Sequence, residues 1–376
     1  MSLGLRKTVK DIIDDRTSRR SLLADSLAAV GTVYGGAVRL RTAAYEKGLV
    51  ETRRLPCAVV SVGNLTVGGT GKTPLTMFLA RLLQSWGWRT VVVSRGYGGT
   101  ASAKGGIASD GHRIRMSSTE CGDEPAMMAA MLPGIPVIVD RRRHRGGRLA
   151  VDRFQAQVVL LDDAFQHLQL HRDLNLVLMD SARPLGNGRL LPGGPLREPA
   201  WALERADAVI WTRRADRRSE SVPHGGCKGL IRTGRPQFSC RHVPGRVRLY
   251  ARRSSEQWTP ELPPEVLGGR RIFAFSAIAD NRGFRETLDK LGARIVGYCD
   301  YPDHHRYSLA DIEAVGRKAA VKRAALMVTT EKDFARIGHR WSEVTRCGDA
   351  AVLGIRIDFG PDQRRFEAFL RRRLER

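Results

Sequence analysis

The residues with the clearest chemical pattern are three glycines, a lysine and two threonines, at Gly68, Gly69, Thr70, Gly71, Lys72 and Thr73. They follow an apolar segment, Cys57–Val62, and open a segment with helical periodicity. Glycines let backbone N–H groups point at phosphate oxygens, and a helix N-terminus adds positive potential. In such a loop the lysine neutralises the β- and γ-phosphates and the threonine hydroxyl binds Mg²⁺. The pattern therefore predicts a phosphate loop, although Thr66 stands where the strict motif has glycine.

Two adjacent carboxylates, Asp162 and Asp163, end a second apolar segment at Val158–Leu161. In phosphate-loop enzymes, a strand of this kind brings an acidic group to the magnesium ion. Acids at a strand end are otherwise solvated groups or caps, and the phosphate loop upstream is what favours the magnesium interpretation. Both acids therefore become candidates for the metal site, together with Thr73.

Three further segments allow both a chemical and a structural interpretation. Asp123, which is followed by Glu and Pro, is either the N-cap of a helix or a general base that reaches an acceptor hydroxyl. His304 belongs to an adjacent histidine pair, which holds no metal without a third ligand. The Pro- and Gly-rich segment Leu191–Pro199 is either a turn or a rigid platform that presents Arg197 and Glu198 to a ligand.

Short β-branched segments alternate with helical segments along the chain, which predicts an α/β fold with a mostly parallel sheet. A second, smaller alternation starts at Arg271–Ser276. Between the two alternations, the polar stretch at about 213–269 has little periodicity and is predicted as a linker or insertion. The predicted parts are an N-terminal region at 1–45, a phosphate-loop domain at 46–225 and a smaller C-terminal α/β domain at 226–376.

The N-terminal region contains an apolar stretch, Leu22–Val38, in which Leu23, Leu27, Val30 and Tyr34 share one helical face. Arginines flank this stretch on both sides. Its polar residues make it unsuitable as a membrane-spanning helix. The pattern fits either a helix that lies in an anionic membrane surface or a helix that packs on the protein's own core.

The charge balance is strongly basic, with 63 Lys and Arg against 39 Asp and Glu and a net charge of +24. This excess favours anionic partners, namely nucleic acid, anionic lipid or phosphorylated substrates, or else reflects an Arg-rich composition. The chain has no RNA-binding aromatic motif and no helix-turn-helix signature, and its aromatic content is 6%. Nucleic-acid binding is therefore not expected, and the enzymatic alternatives are a kinase and a nucleotide-hydrolysing phosphate-loop protein.

Seven segments, taken in chain order, resemble the tetraacyldisaccharide 4′-kinase family of lipid A biosynthesis. They are Ser61–Pro74, Ser94–Gly99, Gly122–Pro125, Leu160–His167, Leu190–Pro199, Tyr301–Tyr307 and Thr329–Arg336. The phosphate loop is shared by many nucleotide enzymes, whereas the Asp-Asp-x-Phe-Gln-His and Pro-Leu-Arg-Glu-Pro segments are specific. Ala164 departs from the family pattern, which has glycine at this place.

The resemblance implies a P-loop kinase that transfers the γ-phosphate of ATP, with Mg²⁺, to the 4′-hydroxyl of a tetraacyldisaccharide 1-phosphate. The implied partners are this lipid A disaccharide precursor and the anionic surface of the inner membrane. The implied location is the cytoplasmic face of that membrane, as a peripheral or monotopic protein. With a lipid substrate, the Leu22–Val38 stretch becomes a candidate for an interfacial helix.

The resemblance also implies roles for single residues. Asp123 is implied to be the base on the acceptor hydroxyl, with His304 as its dyad partner. Asp162 and Asp163 are implied to serve Mg²⁺ and the reacting phosphates, with Thr73 and Asp163 as the metal ligands. The residues implied to position nucleotide or lipid headgroup are Arg95, Arg141 or Arg143, Gln166, Arg197 and Glu198.

Overall fold

The computed structural model describes residues 22–212, 234–253 and 259–375, so part of the predicted N-terminal region and part of the predicted linker lie outside the described residues. In chain order, the strands are β1 Ala58–Asn64, β2 Thr90–Ser94, β3 Gly106–Ser109, β4 Val137–Val139, β5 Val158–Leu161, β6 Leu174–Asp180, β7 Ala208–Thr212, β8 Gln237–Ser239, β9 Arg241–Tyr250, β10 Glu261–Leu262, β11 Arg271–Ser276, β12 Arg294–Asp300, β13 Leu326–Thr330 and β14 Ala350–Asp358. The α-helices are α1 Leu22–Glu46, α2 Lys72–Ser85, α3 Ser118–Cys121, α4 Asp123–Met131, α5 Arg143–Phe154, α6 Asn281–Lys290, α7 Leu309–Val321, α8 Glu331–Ile337, α9 Trp341–Cys347 and α10 Gln363–Leu374.

The chain forms two compact units, each built from separate segments of the sequence. The first unit comprises the described parts of 1–76, 143–242 and 357–376, and the second unit those of 77–142 and 243–356. The division of the chain into contiguous domains at 46–225 and 226–376 stays a prediction.

The first unit contains five consecutive parallel strands in the order β5-β1-β6-β7-β8. Six of the seven residues of β1 are buried, which explains why the segment is almost continuously apolar in the sequence. One face of the sheet is covered by a cluster that includes Phe165, Val177, Val209 and Trp211. Helix α2 begins directly after the loop that follows β1, as the sequence predicted.

Helix α10 closes this sheet at strand β8. The ring of Phe238 in β8 lies 5.0 Å from the ring of Phe366 and 5.5 Å from that of Phe369. The carboxylate of Asp362, just before α10, accepts a hydrogen bond of 2.7 Å from the backbone N–H of Ser239. The basic residues of the helix therefore flank an apolar face that packs on the core.

Helix α1 packs one face on its own unit and exposes the other. Val38 and Thr42 are buried, and the Tyr34 hydroxyl donates a hydrogen bond of 2.8 Å to the carbonyl of Arg197. Val33 and Leu40 are 76% and 75% exposed. None of the helices in the described residues combines the length and apolar character that crossing a bilayer requires.

The second unit contains two groups of strands. Strand β4 pairs with β2 in parallel and with β3 antiparallel, and six further strands follow the order β10-β9-β14-β13-β11-β12. Strands β11 to β14 are parallel to one another where they pair. Helix α4 is buried from Pro125 to Met131 and packs against α8, which brings the N-terminus of α4 to the residues around Arg336.

The predicted α/β fold with mostly parallel sheets and an N-terminal helix is confirmed. The stretch predicted as a linker contains three strands, β8, β9 and β10, in its described part. Strand β9 was not predicted because its sequence contains arginines, and one of them, Arg248, is only 3% exposed. Its guanidinium donates to the carbonyl of Ala130 at 2.8 Å and pairs with Glu261 at 2.9 Å. A buried charge compensated in this way breaks the apolar pattern from which strands are recognised.

Candidate active site

The loop between β1 and α2 has the backbone of a phosphate loop. Gly68 and Gly71 have φ angles of 117° and 91°, in the region that glycine adopts without strain. At Gly71 a Cβ would also lie 2.2 Å from Nε2 of His242. Asn64, at the end of β1, fixes the loop because its side-chain amide donates to the carbonyl of Thr66 at 2.7 Å and to the Thr70 hydroxyl at 2.9 Å.

Asp163 lies between two cations of the first unit. Its carboxylate accepts two hydrogen bonds of 2.9 Å from Nη1 of Arg197, and Nζ of Lys72 lies 3.8 Å from its Oδ1. Burial raises the pKa of Asp163, but Lys72 and Arg197 more than offset this effect, so the pKa is lowered and the group is ionised. Its φ of 47° is a left-handed conformation, which Asp tolerates better than most residues.

Asp162 faces the first turn of helix α2. Its Oδ1 accepts a hydrogen bond of 2.9 Å from the Thr76 hydroxyl, and the residue is buried. Arg143, at the start of α5, is also buried and donates to the backbone carbonyl of Asp162 at 3.2 Å. The two adjacent acids thus have different surroundings: Asp162 contacts hydroxyl and backbone groups, whereas Asp163 contacts cations.

The Pro- and Gly-rich segment is a platform that pairs with the phosphate loop. The backbone N–H of Arg197 donates to the carbonyl of Leu65 at 2.7 Å, and that of Val67 donates to the carbonyl of Pro195 at 2.8 Å. This pairing places the Arg197 side chain at Asp163. Glu198, in contrast, is buried and forms an ion pair with Arg205.

The second unit joins Asp123 and His304, which are 181 positions apart in the sequence. Nδ1 of His304 lies 2.8 Å from Oδ2 of Asp123. An ionised carboxylate only accepts hydrogen bonds, so this contact is a hydrogen bond in the forms of the ring whose Nδ1 carries a proton. Asp123 begins helix α4, and His304 has a φ of 64°, which turns its largely exposed ring out of the loop.

A third residue of this cluster, Arg336, was given no role by the sequence analysis. Its Nε donates to Oδ2 of Asp123 at 2.8 Å, and its side chain is 3% exposed. Burial raises the pKa of Asp123, while the hydrogen bond from His304 and the charge of Arg336 lower it, and the net shift is downward. The local signal in the sequence is Asp333 three residues before Arg336, a helical spacing at which an acid and an arginine form an ion pair.

The structure groups the remaining predicted residues as follows. Gln166 lies beside the phosphate loop, because its side-chain amide donates to the carbonyl of Asn64 at 2.8 Å. Arg95 and Arg141 are exposed residues of the second unit, both tied to Ser102 through their backbones. Arg143, and not Arg141, lies at Asp162.

The oxygen donors of the first unit suit a magnesium ion. Carboxylate and hydroxyl oxygens are its preferred protein ligands, and phosphates and water normally complete the octahedron. The described residues contain no group of three or more His, Cys, Asp or Glu side chains that would hold a metal by themselves. Thr73 and an aspartate, as a donor set that a nucleotide completes, therefore fit Mg²⁺ better than zinc.

These features define the class of a phosphate-loop kinase. They are a glycine loop between a buried strand and a helix, an aspartate in contact with a lysine and an arginine, and a separate carboxylate–imidazole pair. Comparison with known proteins is more specific. The family described as tetraacyldisaccharide-1-P 4′-kinase, LpxK, matches residues 23–375, and the chain belongs to this family.

Individual relatives agree with this assignment. The chain is 42% identical to the tetraacyldisaccharide 4′-kinase of Desulfatibacillum aliphaticivorans over 93% of its own length and 92% of the relative's. It is 44% identical to that of Syntrophus aciditrophicus over 89% and 90% of the two chains. The crystal structure of LpxK from Aquifex aeolicus in complex with ATP superposes with a TM-score of 0.73 at 30% identity, and the match covers 94% of this chain and all of the other. The resemblance found in the sequence is thereby confirmed, and the protein is a kinase.

Proposed function

We propose that the protein transfers the γ-phosphate of ATP to the 4′-hydroxyl of a tetraacyldisaccharide 1-phosphate, with Asp123 as the base. The observation that carries this mechanism is the 2.8 Å hydrogen bond between Asp123 and His304. A carboxylate fixed by an imidazole is the arrangement that activates a hydroxyl. ATP as the donor is supported by the phosphate loop and by the ATP complex of the Aquifex aeolicus relative.

At the phosphate end, the residues act by charge. The backbone N–H groups of Gly68 to Gly71 bind the phosphate oxygens, and Lys72 and Arg197 neutralise the charge that spreads over the transferred group. Thr73 and Asp163 would hold Mg²⁺, and Asp162 orients the start of α2 through Thr76. When bound, Mg²⁺ supplies further neutralisation of the β- and γ-phosphates.

At the acceptor end, Asp123 accepts the proton of the hydroxyl as the bond from its oxygen to the γ-phosphorus forms and the bond from the γ-phosphorus to the leaving ADP breaks. Its lowered pKa keeps it ionised at neutral pH. A weak base suffices, because the transition state of phosphoryl transfer is loose and the hydroxyl loses its proton late. His304 donates from Nδ1 to Asp123 and stabilises its charge.

Helix α1 is the proposed contact with the membrane, as an interfacial helix on the cytoplasmic face of the inner membrane. Val30, Val33 and Leu40 are exposed on it, and Arg39 and Arg41 are exposed beside them. An apolar face with basic neighbours binds an anionic lipid surface through both burial and charge. The acyl chains of the proposed substrate lie in the same surface.

The test is transfer of labelled γ-phosphate from ATP to a tetraacyldisaccharide 1-phosphate in detergent, with Asp123→Ala and Asp289→Ala compared. Asp289 is an exposed aspartate on α6, so its loss controls for general effects of removing a carboxylate. We expect the Asp123 variant to lose about 10²–10⁴-fold in kcat. ATP hydrolysis by the wild type without any lipid phosphorylation contradicts the proposal and leaves a nucleotide hydrolase.

A further inference from the structure

The two carboxylate oxygens of Asp123 have different partners. Oδ2 accepts hydrogen bonds from His304 Nδ1 and from Arg336 Nε, each at 2.8 Å. Oδ1 accepts none from the residues that the structure describes. Two donors on one oxygen fix the plane of a carboxylate, so the direction of the other oxygen is determined by them.

The guanidinium of Arg336 is itself fixed by contacts of its two Nη atoms. Its Nη1 donates to the carbonyl of Ala277 and lies 3.5 Å from Oδ1 of Asp333. Its Nη2 lies 3.6 Å from Oδ1 of Asp303, next to His304. A guanidinium is a rigid planar fork, so anchoring its two Nη atoms fixes the direction in which Nε points.

Asp333, the buried counter-charge of Arg336, also anchors the histidine loop. It has no exposed surface and accepts hydrogen bonds from the Thr330 hydroxyl at 2.6 Å and from the backbone N–H of Ala277 at 3.1 Å. The hydroxyl of Tyr307, at the end of the loop that carries His304, donates to it at 3.1 Å. Both donors to Asp123 are therefore tied to one carboxylate.

We infer that Arg336 is a positioning residue of the phosphoryl transfer, which holds Asp123 by Oδ2 and so presents Oδ1 to the acceptor hydroxyl. The inference rests on the proposed function, since it assigns the task of proton acceptance to Asp123. Arg336 acts through Asp123 and does not itself contact the reacting atoms.

The same contact controls the charge of Asp123. Among the described residues of the second unit, the titratable and charged groups on the elements packed around it are Glu120, Cys121, Glu124, Tyr301, Asp303, His304, His305, Arg306, Tyr307, Glu331, Lys332, Asp333 and Arg336. Without Arg336, the pKa of Asp123 rises, because the effect of burial remains while the nearest permanent cation is gone.

The experiment compares Arg336→Met and Arg336→Lys with Arg317→Met, a control on an exposed arginine of α7 in the same unit. Lipid phosphorylation is measured from pH 5 to 9, ATP binding is measured separately, and thermal unfolding verifies the fold. For Arg336→Met we expect kcat to fall at least ~10-fold, unchanged ATP binding, and an acid limb of kcat/KM that moves up by about 1 pH unit or more. Arg336→Lys keeps the charge and loses the fork, so its acid limb stays near that of the wild type while its kcat falls.

A merely structural role lowers the amount of folded enzyme without moving the acid limb. A folded Arg336→Met variant with the kcat and acid limb of the wild type overturns the inference. If Arg336→Met does not fold, Arg336→Lys decides, since a kcat equal to the wild type overturns the role of the fork.

The second measurement needs no lipid. The His304 ring resonance of the full chain is followed by NMR against pH, because it senses the ionisation of Asp123. We expect its acidic transition to move to higher pH in Arg336→Met and to stay near that of the wild type in Arg336→Lys, and an unmoved transition in Arg336→Met overturns the inference. Wild-type protein that fails to phosphorylate the lipid contradicts the proposed function alone, because this titration still shows whether Arg336 controls Asp123.

Discussion

Two glycines of helix α1, five residues apart, give opposite expectations for the same substitution. A Cβ on Gly31 would lie 2.9 Å from the carbonyl oxygen of Leu190, which is backbone and cannot rotate away. A Cβ on Gly36 would meet nothing within 4 Å. The pair therefore tests whether α1 lies directly on the Leu190–Gly194 loop, in which a Cβ on Gly193 would in turn lie 2.8 Å from Cα of Ala28.

The magnitudes follow from two opposing effects. Gly→Ala inside a helix stabilises by about 1 kcal/mol, because alanine loses less backbone entropy on folding. Overpacking against a fixed neighbour costs about 1–3 kcal/mol. We expect Gly36→Ala to stabilise by about 1 kcal/mol, and Gly31→Ala to change the free energy of unfolding by between about 0 and −2 kcal/mol. The two variants then differ by about 1–3 kcal/mol.

The measurement is thermal unfolding of both variants in the same detergent, where such a difference separates the two Tm values by about 1–4 °C. Kinase activity of each variant is recorded alongside. The Tyr34 hydroxyl bonds to the carbonyl of Arg197, so a displaced helix also disturbs Arg197. Equal stabilisation by Gly31→Ala and Gly36→Ala refutes the packing of α1 on this loop.

Three further results are expected. Arg197→Met lowers kcat about 100-fold by removing a cation from the transferred phosphate. It also raises the pKa of Asp163. The stability that this carboxylate contributes is lost as the pH falls through its folded-state pKa, so the loss occurs at a higher pH in the variant. Tm measured against pH detects this shift, and an unchanged curve contradicts it. Chelation of Mg²⁺ abolishes transfer and excess Mg²⁺ restores it, whereas full activity in chelator contradicts the proposed role of Asp163. Val33→Asp and Leu40→Asp weaken binding to phosphatidylglycerol vesicles while transfer in detergent persists, and Leu309→Asp, on another exposed apolar residue, leaves vesicle binding unchanged.

The parts of the fold that are determined locally were predictable. The sequence before Gly68 is a buried parallel strand, the glycines permit the loop, and Lys72 opens the helix, so all the information lies within about twenty residues. Asp162 and Asp163 were found for the same reason, as acids at the end of an apolar run. Their division of contacts, with Asp163 on the cations, depends on Arg197 and was not visible in the sequence.

The parts that depend on distant packing were not predictable. Arg336 is buried only because α8 packs on α4 and because Asp333 supplies a counter-charge. The choice between Arg141 and Arg143 is likewise one of burial, since their types and spacing are equivalent in a run of basic residues. The likeness to a family located the segment that ends at Arg336, and the side-chain contacts were needed to assign a role to this residue and to choose between Arg141 and Arg143.

The interleaved course of the chain has a consequence for its synthesis on the ribosome. The first unit begins before residue 76 and is completed only by residues 357–376, whereas the second unit ends at residue 356. The Phe238 ring of strand β8 therefore lacks its packing partners during synthesis until Phe366 and Phe369 have been translated. At about 5–20 residues per second this interval lasts on the order of ten seconds, during which a nascent chain exposes an apolar sheet edge that chaperones recognise.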